Sequence, residues 1–424
     1  MRKYWNMLKE KLTSLVKGGF FHILVGNTLT KMLTFISSIV IVRLVSKEDF
    51  AYLSYSDNLY LYIIAISGLG MSSAVLKYCG SQFEDAKDKA YIIYALKNGT
   101  LIELLLSIAI VIYVWLADIP FPQARGLVSL MILYPAMNYM VATFQSYARA
   151  RMDNKLFAKL ALVQSTVVLF VSICLVKILG INGMAYSRYI AMAICCVMGF
   201  RFINQQVGNC QAASLSKDAK KQFLTLSLSF MFASLFSMIM PINETFLVNN
   251  MIKDEIVSAN YKVAMLIPSQ TMFISNSIAV YFFGILNRIK DKKELWSMLK
   301  KIELLSAGII TLITIAGMIV YPYMVKIFYG ERYMDSIELS NCYWIVYAIN
   351  SGFRLVALNL IPAVGNAKVS AVVSVISAIL HLIICYFGIE RYGVYGAMIA
   401  LGVVYILAGI IYWIYLYQYC HMKK

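Results

Sequence analysis

Four polar residues in the first apolar stretch, Asn27, Lys31, Thr34 and Ser38, follow one another at intervals of 4, 3 and 4 and so share one helical face. They belong to residues 18–45, GGFFHILVGNTLTKMLTFISSIVIVRLV, whose other side is Leu, Ile, Val and Phe. Counted from Phe20, Lys31 lies roughly 16 Å along a helix, close to the midplane of a bilayer. A cation there costs about 3 kcal/mol on insertion scales unless it meets water or a partner. Two chemistries are open: a lysine paired with an internal carboxylate, and a cation lining a hydrophilic path. The second is preferred, because similar faces recur. Lys262, Ser269 and Asn276 repeat at intervals of seven beside Pro268, Asn350 and Arg354 stand at i, i+4, and Asn138, Gln145 and Arg149 share a face. Lys262 is also close enough to a span end to snorkel.

Three acids, Asp57, Glu103 and Glu244, lie in the same kind of apolar stretch. They suit charge balance for the cations or binding of a coupling Na+ or H+. Arg188 is shallow and reads as a snorkelling side chain, Arg43 as an anchor, and His381 as a hydrogen-bonded helix contact. No Walker loop, HExxH or GxSxG occurs, and the chain has only three histidines, so neither an enzymatic centre nor a cofactor is expected. Cations outnumber acids on these faces, which suits an anionic substrate. A phosphorylated sugar cannot enter hydrocarbon without losing its water, and a wet cationic cavity would replace that hydration.

Long apolar helices must position these groups. Hydrophobic residues make up 61% of the 424 and charged residues 14%, with a mean hydropathy of +0.72, far from a soluble domain. Twelve spans are predicted near residues 20–42, 51–75, 98–116, 126–147, 158–176, 182–202, 223–247, 258–284, 302–322, 339–361, 369–388 and 394–416. The net charge of +17 resolves into a topology signal rather than a nucleic-acid surface. Alternate connections, counted with the span ends that adjoin them, carry 26 against 8 Lys and Arg, with Lys31, Arg188, Lys262 and Arg354 further inside spans, which puts both termini in the cytoplasm.

The expected fold is an all-α polytopic membrane protein with twelve transmembrane helices in two six-helix lobes around a central cavity. Residues 1–17 form a basic amphipathic cytoplasmic segment, 18–202 the first lobe, 203–222 a polar cytoplasmic linker, 223–416 the second lobe and 417–424 a tail. Six helices per half make any repeat parallel. GINGMAY at 180–186 and GVYGAMI at 393–399 open the sixth and twelfth spans and support one. The eight cysteines show neither a disulfide framework nor metal spacing.

NTLTKMLTFISSIVIVRLVSKEDFAYLS resembles the first-span signature of polysaccharide biosynthesis flippases, in which an Arg-Leu pair precedes an acidic residue and a Tyr-Gly. Arg43-Leu44 and Asp49-Phe50-Ala51 fill those places here, with Ala51 instead of glycine. GLGMSSAVLKY, ARARMDN, ANYKVA, AVGNAK and YGVYGAMIA are similar to the same family, so the resemblance spans nearly the whole chain. It implies membership of the multidrug/oligosaccharidyl-lipid/polysaccharide exporter superfamily. It further implies flipping of an undecaprenyl-pyrophosphate-linked oligosaccharide across the bacterial inner membrane for O-antigen or capsule assembly. Lys31, Lys262 and Arg354 would then hold the pyrophosphate or acidic sugars, with Asn27, Asn138 and Asn350 in the cavity, and a glycan polymerase and chain-length regulator would be partners. The rivals are a cation-coupled drug antiporter of the same superfamily, a peptidoglycan-precursor flippase, which usually has two more helices, and a membrane-embedded glycan enzyme.

Overall fold

The computed structural model describes residues 20–79, 84–286, 289, 291–361 and 367–421. Every regular element among them is helical. The helices are α1 (Phe20–Leu44), α2 (Lys47–Ile66), α3 (Met71–Tyr78), α4 (Asp85–Leu116), α5 (Ala124–Leu130), α6 (Tyr134–Ala150), α7 (Asn154–Leu179) and α8 (Asn182–Val207). They continue with α9 (Lys217–Ile252), α10 (Glu255–Leu266), α11 (Thr271–Leu286), α12 (Lys292–Met324), α13 (Ser336–Ile349), α14 (Leu355–Leu360), α15 (Ala367–Tyr392) and α16 (Val394–His421). Each of the twelve stretches read as a span falls on one helix or on two joined by a break. Among the described residues, seven helices, or up to nine if each bent pair is one span, are long and apolar enough to cross a membrane. The exposed faces of α4, α12 and α15 carry Leu105, Trp115, Leu312, Ile319, Ile379 and Phe387, which suits contact with acyl chains rather than water.

Contacts divide the chain into two units, 1–118 with 122–235, and 119–121 with 236–424. The division falls inside α9. The polar stretch 203–222 is fastened to the first unit: Lys89 Nζ donates to the carbonyls of Gly208 (3.0 Å) and Cys210 (2.6 Å), and the Ala213 N–H donates to Ala86 O at 2.9 Å.

In the first unit α1 packs along α7, α7 pairs with α8, and α6 touches α3, α4 and α8. In the second, α15 pairs with α16, and α13 packs on α10 and α16. The two units use matching local devices. Ser46 Oγ caps α2 by accepting the Asp49 N–H at 3.0 Å, and Asp254 Oδ1 caps α10 by accepting the Val257 N–H at 2.8 Å. The α7–α8 and α15–α16 hairpins both turn on a left-handed glycine, Gly180 (φ +60°) and Gly393 (φ +57°). Three residues later Gly183 and Gly396 bring the two backbones of each hairpin into contact.

Two of the breaks between helices carry unusual backbone. Between α2 and α3 four consecutive residues are left-handed, Ser67 (φ +49°), Gly68 (+58°), Leu69 (+55°) and Gly70 (+77°). Two of them pay the steric cost of a Cβ there, of order 1–2 kcal/mol each. Between α13 and α14, Asn350–Arg354 forms a π-helical turn in which the Leu355 N–H reaches back to Asn350 O. Such single turns are frequent at functional sites because they rotate side chains out of the helical register. Ser275 Oγ of α11 fastens this one by donating to Ser351 O at 2.6 Å.

Candidate functional site

In the first unit the α1 face keeps its hydroxyls to itself. Thr34 Oγ1 donates to Thr30 O at 2.8 Å and Ser38 Oγ to Phe35 O at 2.7 Å, which leaves Lys31 as the charged group of that face. Lys31 and Thr34 are exposed, and so are their neighbours Leu29 and Met32. Asn27 lies on α1, with its side chain outside the described residues. Asn138 on α6 is half-buried.

Asp57 on α2 meets Arg188 on α8. The guanidinium binds both carboxylate oxygens, with Nη2 to Oδ2 at 2.8 Å, and lies over the Tyr134 ring at 5.1 Å. Arg188 is therefore committed to a bidentate ion pair inside the unit rather than reaching for water. A forked pair of this kind fixes direction as well as charge. Removing one partner strands the other: Asp57→Asn should cost about 1–3 kcal/mol, reduced from the fully buried case because Asp57 is part-exposed. A melting curve of the purified protein should show the loss, and the charge swap Asp57→Arg with Arg188→Asp should recover part of it.

Glu103 on α4 is fully buried and accepts the Gly68 N–H at 2.5 Å, so a carboxyl closes the left-handed turn. Its second oxygen, Oε2, is buried without a hydrogen-bond partner. The Tyr139 ring fills the space over Gly68 and Gly99, and its hydroxyl donates to Ala95 O at 2.8 Å. Any side chain at either glycine would strike that ring. Where α6 ends, Arg151 bridges Asp85 (2.7 Å) and Asp88 (3.0 Å) at the start of α4. Nothing in the spacing of SQFEDAKDKA and ARARMDN shows that these charges meet.

The second unit holds a denser polar core. Glu244 on α9 is fully buried and accepts a hydrogen bond from the Tyr343 hydroxyl at 3.0 Å. Tyr343 stacks edge-on with Tyr261 (5.6 Å) and lies beside Tyr347 (5.8 Å). These rings share one apolar cluster with Tyr405, Cys385 and Met398. The half-buried Lys262 follows Tyr261 on α10. Asn350 and Arg354 mark the two ends of the π-helical turn, where Arg354 Nη1 donates to Asn350 Oδ1 at 2.9 Å. The guanidinium, 3% exposed, also lies over the Tyr405 ring at 4.9 Å. Its Nε is buried without a hydrogen-bond partner, and among the described residues no carboxylate pairs with it. His381 on α15 is fully buried, and neither ring nitrogen has a hydrogen-bond partner, unlike the bonded helix contact expected.

Among the described residues no cluster of His, Cys, Asp and Glu could hold a metal ion, and all eight cysteines are free. Among the described residues, none of the site groups placed above sets a nucleophile beside a base. What the arrangement offers is one cation compensated by an amide and an aromatic face alone, together with two buried carboxyls. That is equipment for binding anions and protons or small cations rather than for bond chemistry.

Comparison with known proteins adds the lineage. The family described as polysaccharide biosynthesis protein matches residues 15–283. A Shigella flexneri protein assigned as an O-antigen transporter is 28% identical over 185 residues, 43% of this chain and 44% of that protein, so the match spans under half of its length. Among solved structures, the lipid II flippase MurJ in an inward closed conformation superposes with a TM-score of 0.71 at 16% identity over 93% of this chain and 87% of its own. An inward-facing multidrug resistance MATE family transporter of the MOP superfamily gives 0.66 at 15% identity over 94% and 98%. Likeness at that identity speaks to fold: an all-α polytopic membrane protein.

Proposed function

The chain belongs to the polysaccharide biosynthesis protein family, and from that premise we propose that it carries an undecaprenyl-pyrophosphate-linked oligosaccharide from the inner to the outer leaflet by alternating access. It is a membrane flippase or transporter rather than an enzyme. The surface polysaccharide served is of the O-antigen or capsule kind, the membrane is the bacterial inner membrane, and a glycan polymerase and a chain-length regulator stand downstream. The observation that carries this reading is Arg354. A buried guanidinium without a carboxylate is costly to keep, and a pyrophosphate or acidic sugar would supply the missing charge. Lys31, exposed on α1, is the first unit's candidate cation for the cargo.

Glu103 and Glu244 are the candidates for a coupling proton or Na+, each buried in its own unit. Asp57 balances Arg188 instead. A drug antiporter of the MATE kind shares the fold, so fold does not choose between the two. The uncompensated arginine favours the anionic cargo.

The test uses cells whose own flippase is deleted and whose surface glycan depends on this chain. Lys31→Ala should lower glycan display about tenfold or more, the size expected for one lost charge-assisted contact, while membrane-inserted protein stays at the wild-type level. Normal display in that variant would remove Lys31 from the path.

A further inference from the structure

Outside the polar cores, the second unit has a cavity of about 400 Å³ between α12 and α16, lined by Trp296, Lys300, Glu303, Leu304, Ala307 and Trp413. The volume falls in the range of about 300–1,000 Å³ usual for small-molecule sites. Its walls read in layers along α12. Trp296 comes first, then Lys300, whose ammonium stands 5.8 Å from the Trp296 ring centroid, then Glu303 one turn on, then Leu304 and Ala307. From α16, Trp413 meets Trp296 edge-on at 6.3 Å and is held by its indole N–H donating to Phe353 O at 3.2 Å. Tyr417 and His421 continue the aromatic column at 5.5 and 5.7 Å from Trp296.

We infer that this groove holds one phospholipid with an anionic headgroup. The first turns of α12 carry Lys292, Lys293, Lys300 and Lys301 against Glu294, the charge pattern of a helix end beside an anionic leaflet. Indoles at this level mark the boundary between headgroups and acyl chains. Lys300 supplies the ammonium for the phosphate. Glu303 lies about 4.5 Å deeper along the axis, three residues on, where the ester carbonyls of a glycerolipid follow its phosphate. Its Oε2 is buried without a hydrogen-bond partner, and in its protonated form the carboxyl can donate to such a carbonyl. The exposed Leu304 and the half-buried Ala307 then offer the apolar slot for one acyl chain. Charge, donor and slot thus occur in the order in which a phospholipid presents phosphate, ester and chain. This site is separate from the cargo path and stands whether or not the cargo is a lipid-linked glycan.

The test is a melting curve of the full chain in neutral detergent, with phosphatidylglycerol, phosphatidylcholine or free glycerol 3-phosphate added. Phosphatidylglycerol should raise Tm by roughly 4 °C at a hundredfold excess over its dissociation constant, and the other two should not. Ala307→Trp, which fills the slot, and Lys300→Glu should each abolish the rise, whereas Glu303→Gln, which keeps a donor, should retain it. Equal rises with phosphatidylcholine, a rise with glycerol 3-phosphate alone, or an undiminished rise in Ala307→Trp would each overturn the assignment. Because the readout contains no glycan, failure here leaves the flippase reading untouched, and loss of export in Lys31→Ala leaves this site untouched.

Discussion

Arg354→Gln is expected to reach the membrane at the wild-type level and to export surface glycan at least about tenfold less. The two halves of that result come from different physics. Removing the guanidinium costs little stability, because a buried cation that among the described residues meets Asn350 and the Tyr405 face but no carboxylate carries most of its desolvation penalty unrepaid. Glutamine keeps a donor for Asn350 Oδ1, so the α13–α14 turn is not left with a new unsatisfied group. Transport suffers because a neutral amide cannot match an ionised oxyanion, and charge-assisted bonds are worth about 1.5–3 kcal/mol, roughly ten- to a hundredfold. Arg354→Lys should fall between, since an ammonium keeps the charge but not the planar fork or the stacking on Tyr405. Export and melting temperature measured on the same preparations separate the two effects. Wild-type export by Arg354→Gln would remove the central cation from the proposed mechanism.

The same residue shows how far the amino-acid order could be read. Spacing placed Asn350 and Arg354 on one helical face, and they are joined by a hydrogen bond, because neighbours at i, i+4 meet whatever surrounds them. Spacing could not show that the backbone between them is a π-helical turn, which Ser275 of another helix fastens by donating to Ser351 O. Arg188 illustrates the limit more sharply. Hydropathy gave its depth, and a shallow arginine reads as snorkelling. The partner, Asp57, lies 131 positions away, and only the rotation of α8 against α2 brings the two together. Periodicity carries no information on that rotation. Glu103 shows a third limit. Its partner is a backbone N–H, exposed only because Ser67–Gly70 turns left-handed inside what composition reads as one continuous span. The tyrosines around Glu244 do not stand out by spacing, and their hydroxyls gain meaning only once a buried carboxyl is among them. Arg188 and Glu103 stand out in the sequence by type, and what the sequence does not show is the partner of each.

Gly396→Val and Gly183→Val should be the most damaging single substitutions outside the charged sites. A Cβ on Gly396 would fall on the carbonyl of Gly388, and one on Gly183 on the carbonyl of Leu175. Both obstacles are backbone, so no rotamer change relieves them and the two helices of the hairpin must separate. Overpacking of this kind costs about 3 kcal/mol or more once lost contacts along α15–α16 or α7–α8 are included. The turn glycines offer the internal control. Gly180 and Gly393 have positive φ but open space around the added carbon, so alanine there should cost only about 1–2 kcal/mol of backbone strain. Gly308, with ordinary φ and nothing nearby, should tolerate alanine without measurable loss. The order of melting temperatures is then Gly308→Ala above Gly180→Ala and Gly393→Ala, with the two valine variants lowest. The same interval separates Gly180 from Gly393, Gly183 from Gly396 and Leu175 from Gly388, so the two hairpins repeat one packing solution with one pair of glycines. If Gly183→Val and Gly396→Val melt alike and far below wild type, that solution is shared. A valine variant as stable as wild type would mean that its hairpin does not cross backbone to backbone.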